Sequence, residues 1–142
     1  TLESVGVDAI DLRHADDQVF EDLKDKFTLP LINAGAGKHE HPSQGMLDLL
    51  TLKDEFKKLE GLKLAICGDI KHSRVAGSMM VAAEKFGMEI MLCGPQELLP
   101  EAKSSFVRVM PFDEALAKVD AVMMLRIQLE RHEALELNPK SY

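Results

Sequence analysis

The chain has 142 residues, a length that allows one domain or two small lobes sharing an interface. An apolar fraction of 46% and a charged fraction of 29% are those of an ordinary globular chain and exclude global disorder. Because 24 acidic side chains outnumber 17 basic ones, the formal net charge of −7 disfavours binding to nucleic acid or to an anionic membrane surface.

The first part of the chain alternates between strand and helix patterns. Asp16 and Asp17 are the predicted N-caps of the first helix, and Gly61 is the residue predicted to end the second. The predicted elements are a strand over 7–13, a short helix through Phe27, a strand over 29–33, a glycine-bearing loop over 34–41 and a helix from Pro42 to about Leu59.

The second part of the chain repeats the alternation. The predicted elements are a strand over 62–68, a helix over 72–86 capped by Gly87, a strand over 89–93, a turn at 94–95, a helical segment over 100–103, a strand over 105–109, a helix over 113–118 and a strand over 119–125. Strands that alternate with helices predict an α/β fold in which parallel sheets are flanked by helices.

Both cysteines, Cys67 and Cys93, end apolar runs. We expect two buried free thiols at strand ends, with a disulfide or a metal-binding pair as the alternative, because two cysteines alone do not make a ligand set. The longest apolar runs are far shorter than the roughly 20 residues that span a bilayer, and no signal-peptide pattern opens the chain. A cytoplasmic location is therefore expected.

Polar residues follow four of the predicted strands. In an open parallel sheet, ligands bind beyond the carboxyl ends of the strands, so these segments are expected to converge. Three of them carry an arginine, whose paired donors suit phosphate and carboxylate. The segments are Arg13–His14, 33–44, 68–74 and 126–132. A single strand-end arginine could equally serve a surface ion pair, but their joint placement predicts a site for a small, multiply anionic ligand.

Common cofactor motifs do not fit these segments. Gly68 is followed by Asp69 instead of the glycine pattern of a dinucleotide site, and no Walker phosphate loop occurs. The run His39-Glu40-His41 resembles a metal-ligand cluster, yet no further histidine or cysteine stands at ligand spacing. We expect neither a metal nor another cofactor.

The same segments resemble the catalytic chains of aspartate carbamoyltransferases, in the same order and over almost the whole sequence. The motifs that carry the resemblance are Arg13-His14, Asn33-Ala34-Gly35 leading into 39–44 with Leu47-Asp48-Leu49, the run 68–75, and the run 125–132. The ornithine-specific sister family shares the His-Pro-x-Gln element, but it has a cysteine in place of Ser43 and a tryptophan-bearing motif near 126–131, and this chain has no tryptophan.

The resemblance implies an enzyme that condenses carbamoyl phosphate with L-aspartate, giving N-carbamoyl-L-aspartate and phosphate in de novo pyrimidine synthesis. It implies that Arg13 and His41 are catalytic and bind carbamoyl phosphate, and that Gln44 holds the amide end of that substrate. Neutral His41 would donate to the carbonyl oxygen, on which negative charge develops during attack. The departing phosphate would take the proton of the amine, so no protein base is needed.

On the aspartate side, the resemblance implies that Arg74 and Arg126 bind the carboxylates and that Gln128 supports the second of them. It also implies three segments: 1–42 within a carbamoyl-phosphate lobe, 43–60 as a connecting helix and 61–142 as an incomplete aspartate lobe. The intact enzyme would be a homotrimer, with regulatory or other pyrimidine-pathway subunits as further partners.

Several family features are missing from the sequence. The Ser-Thr-Arg-Thr phosphate loop, the mobile loop that serves a neighbouring subunit and the His-Pro-Leu-Pro segment are absent, so we expect a fragment that is inactive alone. Ala36 and Gly77 replace an aspartate and an arginine common in relatives, which bears on loop stability more than on chemistry. Two alternatives stay open: a non-catalytic piece that keeps the fold, and a transcarbamoylase for another amine such as ornithine or putrescine.

Overall fold

The structure is a computed structural model that describes residues 2–37, 40–101 and 104–126. A 3₁₀ turn at Leu2–Val5 precedes the first strand, and a second lies at Gln96–Leu98. The strands are β1 (Ile10–His14), β2 (Leu31–Ala36), β3 (Lys63–Cys67), β4 (Glu89–Cys93), β5 (Val107–Val109) and β6 (Ala121–Met124). The helices are α1 (Val19–Leu23), α2 (Pro42–Phe56), α3 (Arg74–Phe86) and α4 (Phe112–Leu116).

The described strands form two sheets, and every strand pair in them is parallel. β1 pairs with β2 in a two-stranded sheet, and the other four strands form a sheet of order β5-β4-β3-β6. The chain passes from the first sheet to the second through α2, which contacts β2 on one side and α3 on the other. The predicted α/β class with parallel sheets and flanking helices is confirmed.

The four-stranded sheet buries apolar side chains on both faces, which is why β3 and β4 are almost continuously apolar. The larger cluster packs Ile66, Ile90 and Leu92 against α3, where Met79 is fully buried. The smaller cluster lies on the other face and is closed by α4; it contains Ala65, Cys67, Met91, Cys93 and Ala115. Both cysteines are free and buried, as predicted.

The helix α2 ends earlier than predicted. It stops at Phe56, where Lys57 takes a left-handed conformation with φ of 63° and its N–H donates to Lys53 O at 2.8 Å. Gly61 does not close the helix. It lies in the turn before β3, where its N–H donates to Gly87 O at 2.7 Å and aligns the starts of β3 and β4. Gly87 caps α3 with φ of 65°, as predicted.

The predicted caps of α1 are wrong. The N-cap is Gln18, which makes no side-chain cap bond, and Asp16 instead accepts the N–H of Gln18 at 2.9 Å. The carboxylate of Asp17 lies against Gly37, where an added Cβ would be 1.6 Å from Asp17 Oδ1. The helix ends at Leu23, before the predicted Phe27.

Tertiary pairing also changes other predicted bounds. β2 continues through the expected loop to Ala36, because Ala36 pairs with His14 of β1. The helical segment predicted over 100–103 is replaced by the 3₁₀ turn at Gln96–Leu98, with 102–103 outside the described residues. α4 begins at Phe112 after Pro111, one residue before the predicted start. Within the described residues, no helix is both long and apolar enough to cross a membrane.

Candidate functional site

His41 caps the N-terminus of α2, a position that Ser, Thr, Asp and Asn usually occupy. Its Nδ1 accepts from Gln44 N at 3.4 Å, and Ser43 Oγ lies 3.3 Å from the same nitrogen. Since Nδ1 acts as the acceptor of this cap, the neutral ring carries its proton on Nε2. His41 is therefore arranged to donate a hydrogen bond from Nε2.

The backbone of His41 is hydrogen-bonded to α3, the helix that follows β3 of the four-stranded sheet. Its N–H donates to Ser78 Oγ at 3.0 Å. Close approach of α2 and α3 makes this contact possible, because an added Cβ on Gly45 would lie only 3.1 Å from Ser78 Cβ. Sequence reasoning missed Ser78, and nothing in its local pattern marks it.

Gly35 brings the His41 ring and the Arg74 guanidinium to one place. A Cβ added at Gly35 would lie 3.4 Å from Arg74 Nη1 and 3.6 Å from His41 Cδ2. With φ of 121°, Gly35 holds a conformation that side chains rarely adopt. Because Gly35 has no side chain, the His41 ring and the Arg74 guanidinium can both approach the backbone at the end of β2.

Arg74 is the first residue of α3, whose N-cap Ser73 accepts the N–H of Ala76 at 3.2 Å. Its Nη1 donates to Gly37 O at 3.1 Å, and the side chain is half-buried. This bond links the start of α3 to the end of the β2 loop and leaves the other guanidinium donors available for a ligand.

Arg126 is placed by the junction between β3 and β6. Leu125 N donates to Cys67 O at 2.7 Å, which keeps the chain in register beyond the end of β6. Gly68 has φ of 112° and approaches so closely that an added Cβ would be 2.5 Å from Leu125 O. The exposed Arg126 therefore stands beside the loop that connects β3 to α3.

One cavity of about 200 Å³ lies where these elements meet. It brings together three of the predicted site residues, His41, Arg74 and Arg126, although they are far apart in the sequence. Its lining residues are His41, Asp69, His72, Ser73, Arg74, Val75, Leu125 and Arg126. Among the described residues, the lining contains two guanidiniums, two imidazoles and one carboxylate, a composition that suits an anionic ligand.

Asp69 is the one buried charged side chain among the described residues. Its Oδ1 lies 2.8 Å from His72 Nδ1 and accepts the N–H of His72 at 3.4 Å. The N-cap of α3 is Ser73, and Asp69 makes its contacts within the turn before it. Asp69 fixes the β3–α3 loop beside Arg74.

The other three predicted residues lie elsewhere. Arg13 is exposed on β1, next to Leu12, which pairs with Asn33 of β2, and it does not line the cavity. Gln44 lies in the first turn of α2 and also does not line the cavity; its Nε2 donates to Asp48 Oδ1 at 3.1 Å. Gln128 lies outside the described residues.

The family model for the aspartate/ornithine carbamoyltransferase carbamoyl-P binding domain matches residues 1–54. The catalytic subunit of the aspartate transcarbamoylase of M. jannaschii is 29% identical, with a TM-score of 0.78 over 99% of this chain and 48% of its own. The ornithine carbamoyltransferase of Thermus thermophilus is 26% identical, with a TM-score of 0.77 over 92% of this chain and 46% of its own.

A third relative has been solved with ligands. The aspartate transcarbamoylase of Trypanosoma cruzi in complex with N-(phosphonacetyl)-L-aspartic acid is 26% identical, with a TM-score of 0.72 over 92% of this chain and 47% of its own. The structure of the same enzyme in complex with carbamoyl phosphate is 25% identical, with a TM-score of 0.73 over 94% of this chain and 46% of its own. The chain spans about half the length of these relatives. The chain is thus similar to aspartate and ornithine carbamoyltransferases, over residues 1–54 in the family model and over most of its length in the solved structures.

Proposed function

We propose that this chain is the central part of an aspartate carbamoyltransferase, which transfers the carbamoyl group of carbamoyl phosphate to the amine of L-aspartate. The products are N-carbamoyl-L-aspartate and phosphate, the reaction of pyrimidine synthesis. The observation that carries the proposal is the single cavity shared by His41, Arg74 and Arg126. The T. cruzi relative supports it, because the molecule bound there joins a phosphonate to L-aspartate.

In this proposal His41 activates carbamoyl phosphate. The α2 cap occupies Nδ1, so the Nε2–H is the donor available to the carbonyl oxygen of the substrate. Attack by the amine places negative charge on that oxygen, and a preorganised donor stabilises it most when the charge develops. Gln44 uses its Nε2 on Asp48, which leaves Oε1 to accept from the amino group of carbamoyl phosphate. Arg13 binds the same substrate from the end of β1.

The charge of the cavity favours aspartate over ornithine as the second substrate. The side chain of ornithine carries an ammonium group, which two nearby guanidiniums would repel, whereas aspartate carries a second carboxylate that they attract. The one carboxylate in the lining, Asp69, is engaged with His72 at 2.8 Å. Arg74 and Arg126 therefore bind the two carboxylates of aspartate, with Gln128 supporting one of them.

The three segments of the chain follow from the same proposal. Residues 1–42 belong to the carbamoyl-phosphate lobe, 43–60 form the connection and 61–142 belong to the aspartate lobe. The family model of the carbamoyl-P binding domain ends at residue 54, inside α2, and α2 contacts both β2 and α3. The active assembly is a homotrimer of longer chains in the cytoplasm, with regulatory or other pathway subunits as further partners.

Binding and turnover test the proposal. Calorimetry should detect binding of N-(phosphonacetyl)-L-aspartic acid, and Arg74→Lys should weaken it at least about tenfold because lysine lacks paired donors. Arg108→Lys, an exposed change on β5, is the matched control and should leave binding unchanged. In the trimer of longer chains that carries this segment, carbamoyl aspartate should form from carbamoyl phosphate and aspartate, and His41→Ala should slow its formation about 10²–10³-fold.

Three results would count against this function. Binding that is equal in Arg74→Lys and Arg108→Lys would remove the cavity as the site. Carbamoylation of ornithine or putrescine in preference to aspartate would assign a different amine. A folded protein that neither binds the inhibitor nor forms product would indicate a non-catalytic member of the family.

A further inference from the structure

Four sulfur-bearing residues stand side by side at the carboxyl ends of the four-stranded sheet. Cys67 is the register partner of Cys93 on β4 and of Met124 on β6. Met110 directly follows β5, and its N–H donates to Leu92 O at 3.1 Å, one residue before Cys93. The strand order β5-β4-β3-β6 therefore arranges Met110, Cys93, Cys67 and Met124 as one row, the sulfur row.

The sulfur row faces a cavity that is separate from the candidate active site. Side chains of register partners in parallel strands lie on the same face of the sheet. All four residues of the row line one cavity of about 710 Å³, and none of them lines the cavity that contains His41. Asp113 is the only charged residue in this larger lining among the residues that the structure describes. The row thus presents soft sulfur atoms in largely apolar surroundings.

The two thiols are neighbours on adjacent strands. Cys67 and Cys93 are free and are register partners, and Cys93 Sγ donates to Met91 O at 3.8 Å. Burial raises the pKa of Cys67 to about 12, with Cys93 adding to the rise, and burial also raises the pKa of Cys93. Both thiols are therefore protonated at neutral pH and are shielded from large reagents.

We propose that the sulfur row binds a soft, thiophilic metal cation, for which Cu(I) is the best match. Thiolate and thioether ligands select Cu(I), whereas zinc sites need about four nitrogen, sulfur or oxygen ligands. Within the described residues, no three side chains of the His, Cys, Asp and Glu types converge. Two thiols flanked by two thioethers are thus a soft set without the ligands that a harder cation requires.

The binding step balances in protons and charge. Each thiol that coordinates Cu(I) releases one proton to solvent, and no electron is transferred because copper enters and stays in the +1 state. Coordination by both thiolates gives a complex of net charge −1. Lys118 Nζ lies 3.9 Å from Met110 Sδ, so an ammonium group stands beside the row and offsets that charge.

Titration with Cu(I) under anaerobic, reducing conditions, against a Cu(I) chelator of known affinity, tests the site. We expect one Cu(I) per chain and much weaker retention of Zn(II). Replacing a residue that only contacts a metal ligand typically weakens metal binding about 10- to 100-fold. Cys67→Ser and Cys93→Ser each remove a ligand itself, so we expect a loss of Cu(I) affinity larger than about 100-fold. X-ray absorption of the copper complex should show sulfur neighbours only.

The thioether part of the site has its own matched test. Met124 is 68% exposed, so Met124→Leu leaves the core intact, and Met46→Leu on α2, 66% exposed, is the control. We expect Met124→Leu to weaken Cu(I) binding about tenfold and the control to have no effect. This pair of variants decides the matter if a cysteine variant fails to fold. Equal Cu(I) affinity in Met124→Leu and Met46→Leu, or Cu(I) affinity that survives in a folded Cys67→Ser, would overturn the proposal.

Discussion

The hydroxyl of Ser78 accepts a hydrogen bond from the backbone N–H of His41 at 3.0 Å, across 37 residues of sequence. This bond joins the N-cap of α2 to α3, and it acts on a residue that lines the candidate-site cavity. The N–H of an N-cap residue has no partner within its own helix. Ser78 therefore fixes the position of His41 from the neighbouring helix α3.

Removing that hydroxyl should loosen the α2–α3 contact. Ser78→Ala leaves the partly buried N–H of His41 without its acceptor, and we expect the free energy of unfolding to fall by about 1 kcal/mol. Urea denaturation measures the change, with the exposed Ser105→Ala as control. Carbamoyl transfer should fall in Ser78→Ala as well. Unchanged stability and turnover would show that the bond does not position His41.

The cap and the proposed chemistry of His41 use different ring nitrogens, so two substitutions can separate them. Asparagine is a strong N-cap, so His41→Asn should retain stability, whereas His41→Ala should lose about 0.5–2 kcal/mol. Both variants lack the Nε2 donor and should lose about 10²–10³-fold in kcat. Thermal unfolding and turnover measured on both variants check this. Substantial activity in His41→Asn would contradict a donor role for Nε2.

The elements that sequence reasoning placed best are those fixed by local chemistry. β4 was predicted with its exact bounds because its apolar run lies between Gly87, which caps α3, and the Gly94-Pro95 turn. β2 extends further than its local pattern indicates, since pairing with β1 recruits Ala36. Lys57 ends α2 in a left-handed conformation that glycine usually adopts, so no sequence rule identifies it.

Sequence reasoning found some residues of the candidate site and missed others for the same physical reason. The rule that ligands bind at strand ends nominated the segments that contain Arg74, Arg126 and His41, and the family resemblance singled out these three residues, which line one cavity. It could not find Ser78, because a serine within a helix has no distinguishing pattern and its partner lies on another element. It also nominated the segment with Arg13, which does not line that cavity. The arrangement of the two sheets decides which strand ends meet, and sequence periodicity contains no such information.

Gly68 should be among the least replaceable glycines. In Gly68→Ala, an alanine would have to adopt a φ of 112°, and its Cβ would lie only 2.5 Å from Leu125 O. The backbone at Leu125 would therefore have to move, and the adjacent Arg126 would move with it. Backbone strain alone is worth about 1–3 kcal/mol, and the clash adds to it. Gly61→Ala is the control, because its φ of 73° is also positive but an added Cβ meets nothing within 4 Å. Chemical denaturation should show a clearly larger loss for Gly68→Ala, together with weaker inhibitor binding. Equal losses would mean that the Leu125 contact is unimportant.

The reactivity of Cys67 should depend on pH in a way that reports its burial. Desolvation raises the pKa of this thiol from 9.0 to about 12, and Cys93 contributes to the rise. Alkylation requires the thiolate, so the rate with iodoacetamide should keep rising with pH beyond 9 in the folded protein. In urea-unfolded chain the rate should level off near the ordinary pKa of 9.0.

The same shift links pH to stability, with a definite sign. Between the unfolded pKa of 9.0 and the folded pKa of about 12, the folded state retains a proton that the unfolded state has lost. Stability from the protonated thiol is therefore fully present below pH 9 and is lost as the pH rises through that interval. Cys67→Ala removes the group and should unfold with a shallower alkaline slope than the parent protein, as measured by urea denaturation at each pH. Identical slopes in the two proteins would show that the thiol is not desolvated in the folded state.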